Sequence, residues 1–247
     1  MKQKEFMYNR VLLKLSGEAL QGQGGFGIDP QVLARFAREI AELAAAGVRF
    51  GLVIGGGNLF RGAPLARAGM DRIKADQMGM LATVMNALAM QDQLRRLGCE
   101  ARVMTAFPVG TLAEPFDRDR ALRHLDRGRV MLFAGGTGNP LFTTDSAASL
   151  RAIEIGAQVL LKGTQVDGVY AADPKADPNA RRYTRLSFDE AIARRLRVMD
   201  LAALELCREH RLPLQVFDIH TPGNLARAVR GESPGTLVVP EEGETDA

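Results

Sequence analysis

Short apolar runs alternate with longer stretches of helical periodicity along almost the whole chain. Val11-Leu-Leu-Lys-Leu15 reads as a strand running into Ser16-Gly17, and Gly22 to Gly27 (GQGGFG) as a flexible segment. Asp29 predicts a helix N-cap, with Pro30 at the first helical position. Val32, Leu33, Phe36, Ala37, Ile40, Leu43 and Ala44 follow at helical spacing, and Gly47 supplies the stop. The next apolar run, Phe50 to Ile54, is broken by Gly55-Gly56-Gly57. A long helix is predicted over about Lys74 to Leu97, with Met78, Leu81, Ala82, Met85, Leu88 and Ala89 on one face.

The pattern then repeats. Ala101 to Thr105 and Arg129 to Phe133 read as strands with an Asp117-led helix between them, and Gly135-Gly-Thr-Gly-Asn-Pro140 forms a second glycine-rich turn. Asp145 to Ile155 reads as helix, Val159 to Lys162 as strand, and Gly163 to Arg185 as a polar excursion rich in Asp, Pro and Gly. Ser187-Phe-Asp-Glu190 predicts a capping box. A helix from about Asp200 to His210, a strand Leu214 to Phe217, a helix start at Thr221-Pro222 and a strand Thr236 to Val239 follow. Such alternation predicts an α/β fold whose mostly parallel sheet is covered on both faces. Ligands of such sheets bind beyond the carboxyl ends of the strands, where the glycine turns fall. One continuous core with two lobes is expected, divided between the second glycine turn and the polar excursion.

Composition excludes several classes. Of 247 residues, 46% are hydrophobic and 25% charged, which suits a folded enzyme and confines expected disorder to MKQKE and EEGETDA at the ends. A net charge of +3, without a basic block or an aromatic series, gives no nucleic-acid signature. Cys99 and Cys207 lie far apart and build neither a disulfide framework nor a zinc site. No apolar stretch reaches the ~20 residues of a membrane span, and no signal-peptide pattern opens the chain, so a cytoplasmic protein without membrane attachment is expected.

Candidate chemistry gathers at the turns. Three successive glycines expose backbone N–H groups that an anion can approach closely, and a following helix adds its dipole. There is no GxxxxGK[ST] and no GxGxxG after the first strand, so any phosphate site uses other parts. Lys14 interrupts a buried strand; either its ammonium meets an anion at the strand end, or the strand is an edge from which lysine snorkels into water. Arg61 closes the triple-glycine turn and is suited to bidentate phosphate binding, whereas Arg67 and Arg72 read as solvated loop residues. Gly135 to Asp145 offers amides, hydroxyls and a carboxylate. There Asn139 is suited to a base edge, the threonines to phosphate, and Asp145 either to orienting a lysine or Mg2+ or to capping the next helix. Asp76 reads either as a ligand or as a dipole partner early in its helix. Tyr170 is suited to stacking on a purine and Asp173 to ribose hydroxyls, although Asp167-Gly168 alone signals only a turn. His124, His210 and His220 sit in polar, surface-like settings without catalytic or metal-ligand spacing.

The segments VLLKLSGEAL, VIGGGNLFRG, GMLATVMNALAM, GTGNPLFTTDSAA, KGTQVDGVYAADP and VMDLAA together resemble the bacterial uridylate kinase branch of the amino-acid kinase family, from about Tyr8 to Val239. The resemblance implies a three-layer αβα fold, a homohexamer and Mg2+-dependent transfer of the ATP γ-phosphoryl group to UMP on the way to CTP. It implies one domain over 1–247, with a UMP-binding lobe over about 8–145 and an ATP-binding lobe over about 146–240. By position, Lys14, Leu15, Ser16, Gly17, Gly57 and Arg61 match the ATP phosphate side, and Thr164, Tyr170 and Asp173 the nucleoside side. Gly56, Asp76, Thr137, Gly138, Asn139, Pro140, Leu141, Phe142, Thr143 and Thr144 match the UMP site. Lys14, Arg61 and Asp145 match the catalytic set. Gly22, Gln23, Gly24, Gly25, Phe26 and Gly27 resemble a loop linked to GTP activation in relatives, which UTP often inhibits. Two competing expectations are an acyl-phosphate-forming kinase acting on carbamate or an amino acid, and a binding or storage protein that has lost turnover.

Overall fold

The computed structural model describes residues 6–22, 24–172, 177 and 179–240. Its strands are β1 (Arg10–Leu15), β2 (Arg49–Ile54), β3 (Ala101–Thr105), β4 (Glu114–Pro115), β5 (Val130–Ala134), β6 (Val159–Thr164), β7 (Arg185–Ser187), β8 (Leu214–Asp218) and β9 (Thr236–Val239). Its α-helices are α1 (Pro30–Ala45), α2 (Gly62–Arg67), α3 (Arg72–Arg96), α4 (Arg118–Asp126), α5 (Thr144–Glu154), α6 (Phe188–Ala193), α7 (Leu201–Glu209) and α8 (Asn224–Val229). The strands form one nine-stranded sheet in the order β4-β3-β5-β2-β1-β6-β8-β9-β7. Only the β8–β9 pair is antiparallel among the described strands. The fold is the expected three-layer α/β arrangement.

Side-chain alternation along β1 explains both faces. Val11, Leu13 and Leu15 enter one core with Phe36 and Ile40 of α1, Met90 and Leu94 of α3 and Leu225 of α8. Leu12 enters the other with Leu125 of α4, Ala148 and Ala152 of α5, Ala191 of α6 and Leu204 of α7. Because side chains alternate between faces, Lys14 shares the face of Leu12, at the carboxyl end of a central strand. The edge-strand alternative is thereby excluded: β1 pairs with β2 on one side and β6 on the other.

Several helix ends follow the sequence signals. Asp29 Oδ1 accepts from Gln31 N and Val32 N, Asp117 from Arg120 N, and Ser187 Oγ from Glu190 N. Others differ. The cap of α5 is Thr143, whose Oγ1 accepts from Asp145 N and Ser146 N, so the carboxylate of Asp145 is not spent on capping. α8 starts at Asn224 rather than at Thr221-Pro222, because Thr221 Oγ1 instead donates to Asp218 Oδ2. In α3 the expected apolar stripe divides. Met78, Leu81 and Met85 face outward, while Ala82, Thr83, Asn86, Ala87 and Met90 are buried. The inward face packs on glycine turns, which demand small or hydrogen-bonding side chains. His124 and His220 are also less exposed than expected: His124 Nδ1 lies 3.0 Å from Arg129 Nη1, and His220 packs on Phe36.

Candidate active site

The Ser16-Gly17, Gly55–Gly57 and Gly135–Gly138 turns follow the carboxyl ends of β1, β2 and β5, where parallel topology puts ligand sites. Lys14 and Lys162 are register partners in the β1–β6 ladder. Two ammonium groups side by side would repel, and Asp145, at the start of α5, lies between them. Lys14 Nζ is 2.8 Å from Asp145 Oδ1, and Lys162 Nζ is 2.8 Å from Asp145 Oδ2. The Lys162 contact is an aligned hydrogen bond, and Lys162 also donates to Val198 O at 2.6 Å. The Lys14 contact is close in distance but off hydrogen-bond alignment, so Oδ1 keeps unused acceptor capacity.

The three side chains are 8%, 14% and 15% exposed for Lys14, Asp145 and Lys162, so solvent screens them little. Burial pushes the Asp145 carboxyl up, but the pull of Lys14 and Lys162 outweighs it and holds the carboxyl below its ordinary value. Burial is the largest influence on Lys162 and lowers its pKa. Asp145 and Asp200 pull the other way and Lys14 adds to the lowering, leaving the ammonium easier to deprotonate than an ordinary lysine.

The triple glycine packs directly against the Ser16-Gly17 turn. A Cβ on Gly17 would lie 2.6 Å from Gly55 O, Gly57 N and Asn58 Oδ1, so no larger residue fits without moving backbone. A Cβ on Gly56 would meet Gly79 O at 2.7 Å and Ala82 Cβ at 2.8 Å, which seats the turn on α3. Gly55 N–H bonds Leu15 O at 2.9 Å, whereas Gly56 and Gly57 N–H have no hydrogen-bond partner among the described residues.

A cleft of about 320 Å³ opens here, lined by Gly56, Gly57, Arg72, Asp76, Thr83 and Thr137 among others. Asn139, Phe142, Thr143 and Thr144 also line it, whereas Gly138, Pro140 and Leu141 of the same loop do not. Leu141 takes a left-handed φ of 74° and its N–H bonds Asp76 Oδ2 at 2.9 Å. Arg72 is solvated as expected, at 58% exposed, but it opens α3 instead of lying in a loop, and its Nε lies 2.9 Å and 3.0 Å from the two Asp76 oxygens. Arg61 lies at the rim, its Nη2 2.7 Å from Glu18 Oε1 and its Nε donating to Gly57 O at 3.1 Å.

A second cleft, of about 390 Å³, is lined by Val166, Gly168, Tyr170 and the Arg194–Arg197 segment. Tyr170 Oη donates to Asp167 Oδ1 at 2.7 Å, and Arg182 Nη1 pairs with Asp167 Oδ2 at 2.8 Å. Thr164 Oγ1 accepts from Val166 N at the end of β6. Asp173 and Gln23 lie outside the described residues. Of the glycine-rich loop, Gly27 is tied to Asn58 by N–H to O and O to Nδ2 bonds, both 2.9 Å, and Phe26 is exposed.

Sequence reasoning missed Lys162, Asp200, Thr83, Asn58 and Asn86. Asp200 caps α7 and accepts from Thr143 Oγ1 and Ser146 Oγ, joining α7 to the start of α5. The signal for Lys162 was present, a second lysine closing an apolar strand as Lys14 does.

A mostly parallel sheet carrying glycine turns, a lysine pair bridged by a carboxylate and two clefts of ligand size fits a phosphoryl-transfer scaffold. The chain belongs to the amino acid kinase family, whose model matches residues 9–218. It is 58% identical to the uridylate kinase of Methylococcus capsulatus over 235 residues, covering 95% of this chain and 98% of that protein. With the uridylate kinase of Vibrio cholerae the identity is 58% over 231 residues, covering 94% and 95%. Among solved structures it superposes on the UMP kinase of Bacillus anthracis with a TM-score of 0.91 at 41% identity, over 95% of this chain and 97% of that one. For the UMP kinase of Ureaplasma parvum the TM-score is 0.88 at 35% identity, over 94% and 98%.

Proposed function

We propose that this chain transfers the γ-phosphoryl group of ATP reversibly to UMP, giving UDP and ADP. The observation that carries the reading is the Lys14–Asp145–Lys162 cluster, with Asp145 directly following Thr144 of a cleft that holds unpaired glycine N–H groups, and a second cleft of ligand size elsewhere on the chain. The first cleft is assigned to UMP, with Gly56 and the 137–144 loop toward its phosphate and Asp76 toward its ribose. The second, with Tyr170, is assigned to the ATP base. On this reading the acceptor belongs to 8–145 and the donor base to 146–240 of one domain.

An oxygen of the UMP phosphate attacks the γ-phosphorus; that O–P bond forms as the β,γ-bridging P–O bond breaks, and its electron pair leaves with ADP. An ionised phosphate needs no general base, so positioning and charge neutralisation supply the catalysis. Lys14 and Lys162 present positive charge at the centre, Asp145 fixes their spacing, and Arg61 serves the donor phosphates from the rim. Mg2+, when bound, supplies further charge neutralisation. The described residues contain no group of three or more His, Cys, Asp or Glu suited to hold a metal. With Asp145 already paired to Lys14 and Lys162, the ion would be carried mainly by nucleotide oxygens. Coupled ADP release with UMP, CMP, carbamate and glutamate tests the reading; turnover is expected with UMP, and its absence there overturns it.

The same reading extends to GTP activation, UTP inhibition, a homohexamer and a cytoplasmic role in CTP synthesis. The fastening of Gly27 to Asn58 supports an effector role for the 22–27 loop, since it reaches the phosphate turn. The outward row Met78, Leu81 and Met85 on α3 supports assembly. Initial rates with added GTP or UTP, and sedimentation of the purified chain, test these points.

A further inference from the structure

Two buried polar side chains one helical turn apart on α3 reach opposite sides of the acceptor cleft. Asn86, fully buried, donates from Nδ2 to Gly55 O at 2.7 Å and to Asn58 Oδ1 at 2.7 Å, and its Oδ1 accepts from Asn58 Nδ2 at 3.0 Å. Thr83, also buried, accepts the Gly135 N–H at 2.8 Å and donates to Met80 O at 2.7 Å. Just before Thr83 on the same helix, Gly79 and Ala82 sit against Gly56, leaving no room there for a side chain. One helix face thus grips both glycine turns.

Packing alone does not call for these residues. An apolar side chain at either position would avoid desolvating an amide or hydroxyl, which must find partners when buried. What the polar atoms do is orient peptide planes. A trans peptide points its C=O and its N–H in opposite directions, and the Gly55 C=O shares a plane with the Gly56 N–H. Holding Gly55 O toward Asn86 therefore turns the Gly56 N–H away from Asn86; Gly56 lines the cleft, and that N–H has no partner among the described residues. Thr83 fixes the facing turn through its first glycine.

We infer that Asn86 and Thr83 are positioning residues for phosphoryl transfer, presetting both glycine turns so that their backbone N–H groups meet the phosphate of the acceptor nucleotide. The inference rests on the assignment of that cleft to UMP. It predicts a selective defect: the phosphate of the acceptor should be recognised poorly while the nucleoside is still bound.

Asn86→Asp keeps the side-chain shape but cannot donate to Gly55 O, and Thr83→Val keeps shape but cannot accept from Gly135 N. Titration calorimetry with UMP and with uridine, on samples whose folded fraction is verified by thermal unfolding, reads the effect. In each variant the ratio of UMP to uridine affinity should fall about tenfold, the scale of one well-placed hydrogen bond, with uridine binding unchanged and kcat lowered. Thr83→Ser, which restores the hydroxyl, should recover the ratio. An unchanged ratio, or equal losses for both ligands, overturns the inference. If Asn86→Asp fails to fold, the isosteric Thr83 pair decides alone. If the unaltered chain itself shows no preference for UMP over uridine and no turnover, the assignment of the cleft falls, and the inference with it.

Discussion

The Lys14–Asp145–Lys162 cluster and the Arg61–Glu18 contact at the cleft rim are both ion pairs, yet they obey different physics. Lys14, Asp145 and Lys162 are nearly sealed from water, while Arg61 and Glu18 are 56% and 45% exposed at a similar separation of 2.7 Å. An exposed pair is screened by solvent and salt and contributes about 0–1 kcal/mol. A buried pair has already lost its hydration, so removing one partner strands a charge, at about 3–5 kcal/mol. The same geometry therefore marks a preorganised electrostatic device in one place and an adjustable contact in the other.

Lys14→Ala should break that contrast most severely. It removes charge that acts as the transferring group passes between oxygens, and kcat should fall about 10³-fold with a much smaller change in KM for either nucleotide. Asp145 would keep Lys162 alone, so thermal unfolding should also shift downward. Steady-state rates at saturating ATP and UMP check the first point; wild-type turnover in the variant would remove Lys14 from the mechanism.

The centre should also reveal itself by pH. Lys162 must be protonated to act, and its pKa lies below the ordinary lysine value of 10.5. Turnover is therefore expected to be steady near neutrality and to decline as pH rises through that lowered value. Lys162→Arg keeps its charge throughout the range and should move the decline to higher pH. A pH profile identical in the two proteins would show that another group sets it. The sign for stability is opposite at Asp145. Its carboxyl is held below 3.8, so its contribution is complete above that value and is lost as pH falls through the lowered one.

Asp76→Asn lies between the two regimes, since the side chain is 18% exposed and bonded to Arg72 and the Leu141 N–H. The amide keeps one acceptor and loses the charge. The KM for UMP should rise about tenfold with kcat reduced less than about threefold. A loss confined to kcat would place Asp76 with the catalytic cluster instead.

What was legible in the sequence divides along the same line. Strands β1, β2 and β5 and the glycine turns that follow them announce themselves because a buried parallel strand is a nearly continuous apolar run, here ended by special backbone. Lys14 stood out as an exception to its run. Asn86 and Thr83 could not stand out, because α3 carries methionines and leucines at helical spacing on the face that proves to be outward. Which side of a helix is buried depends on what it packs against, and here that is glycine backbone. Lys162 closes an apolar run as Lys14 does, but its importance arises from register with Lys14, a relation between strands that a single run does not show. Asp145 read equally well as a cap until Thr143 was seen to fill that role.

The second cleft offers the mildest test. Tyr170 has both a ring and a hydroxyl available to a ligand, and the hydroxyl is already engaged with Asp167, whose other oxygen is held by Arg182. If Tyr170 serves ATP through its ring, Tyr170→Phe removes only that exposed hydrogen bond, and the KM for ATP should change less than about threefold. Tyr170→Ala removes the stacking surface, worth about 1–3 kcal/mol per base in other aromatic platforms, and should raise KM for ATP about tenfold or more without altering kcat. Equal effects from the two substitutions would instead assign recognition to the hydroxyl and its Asp167 partner, making this rim a polar contact rather than a stacking one.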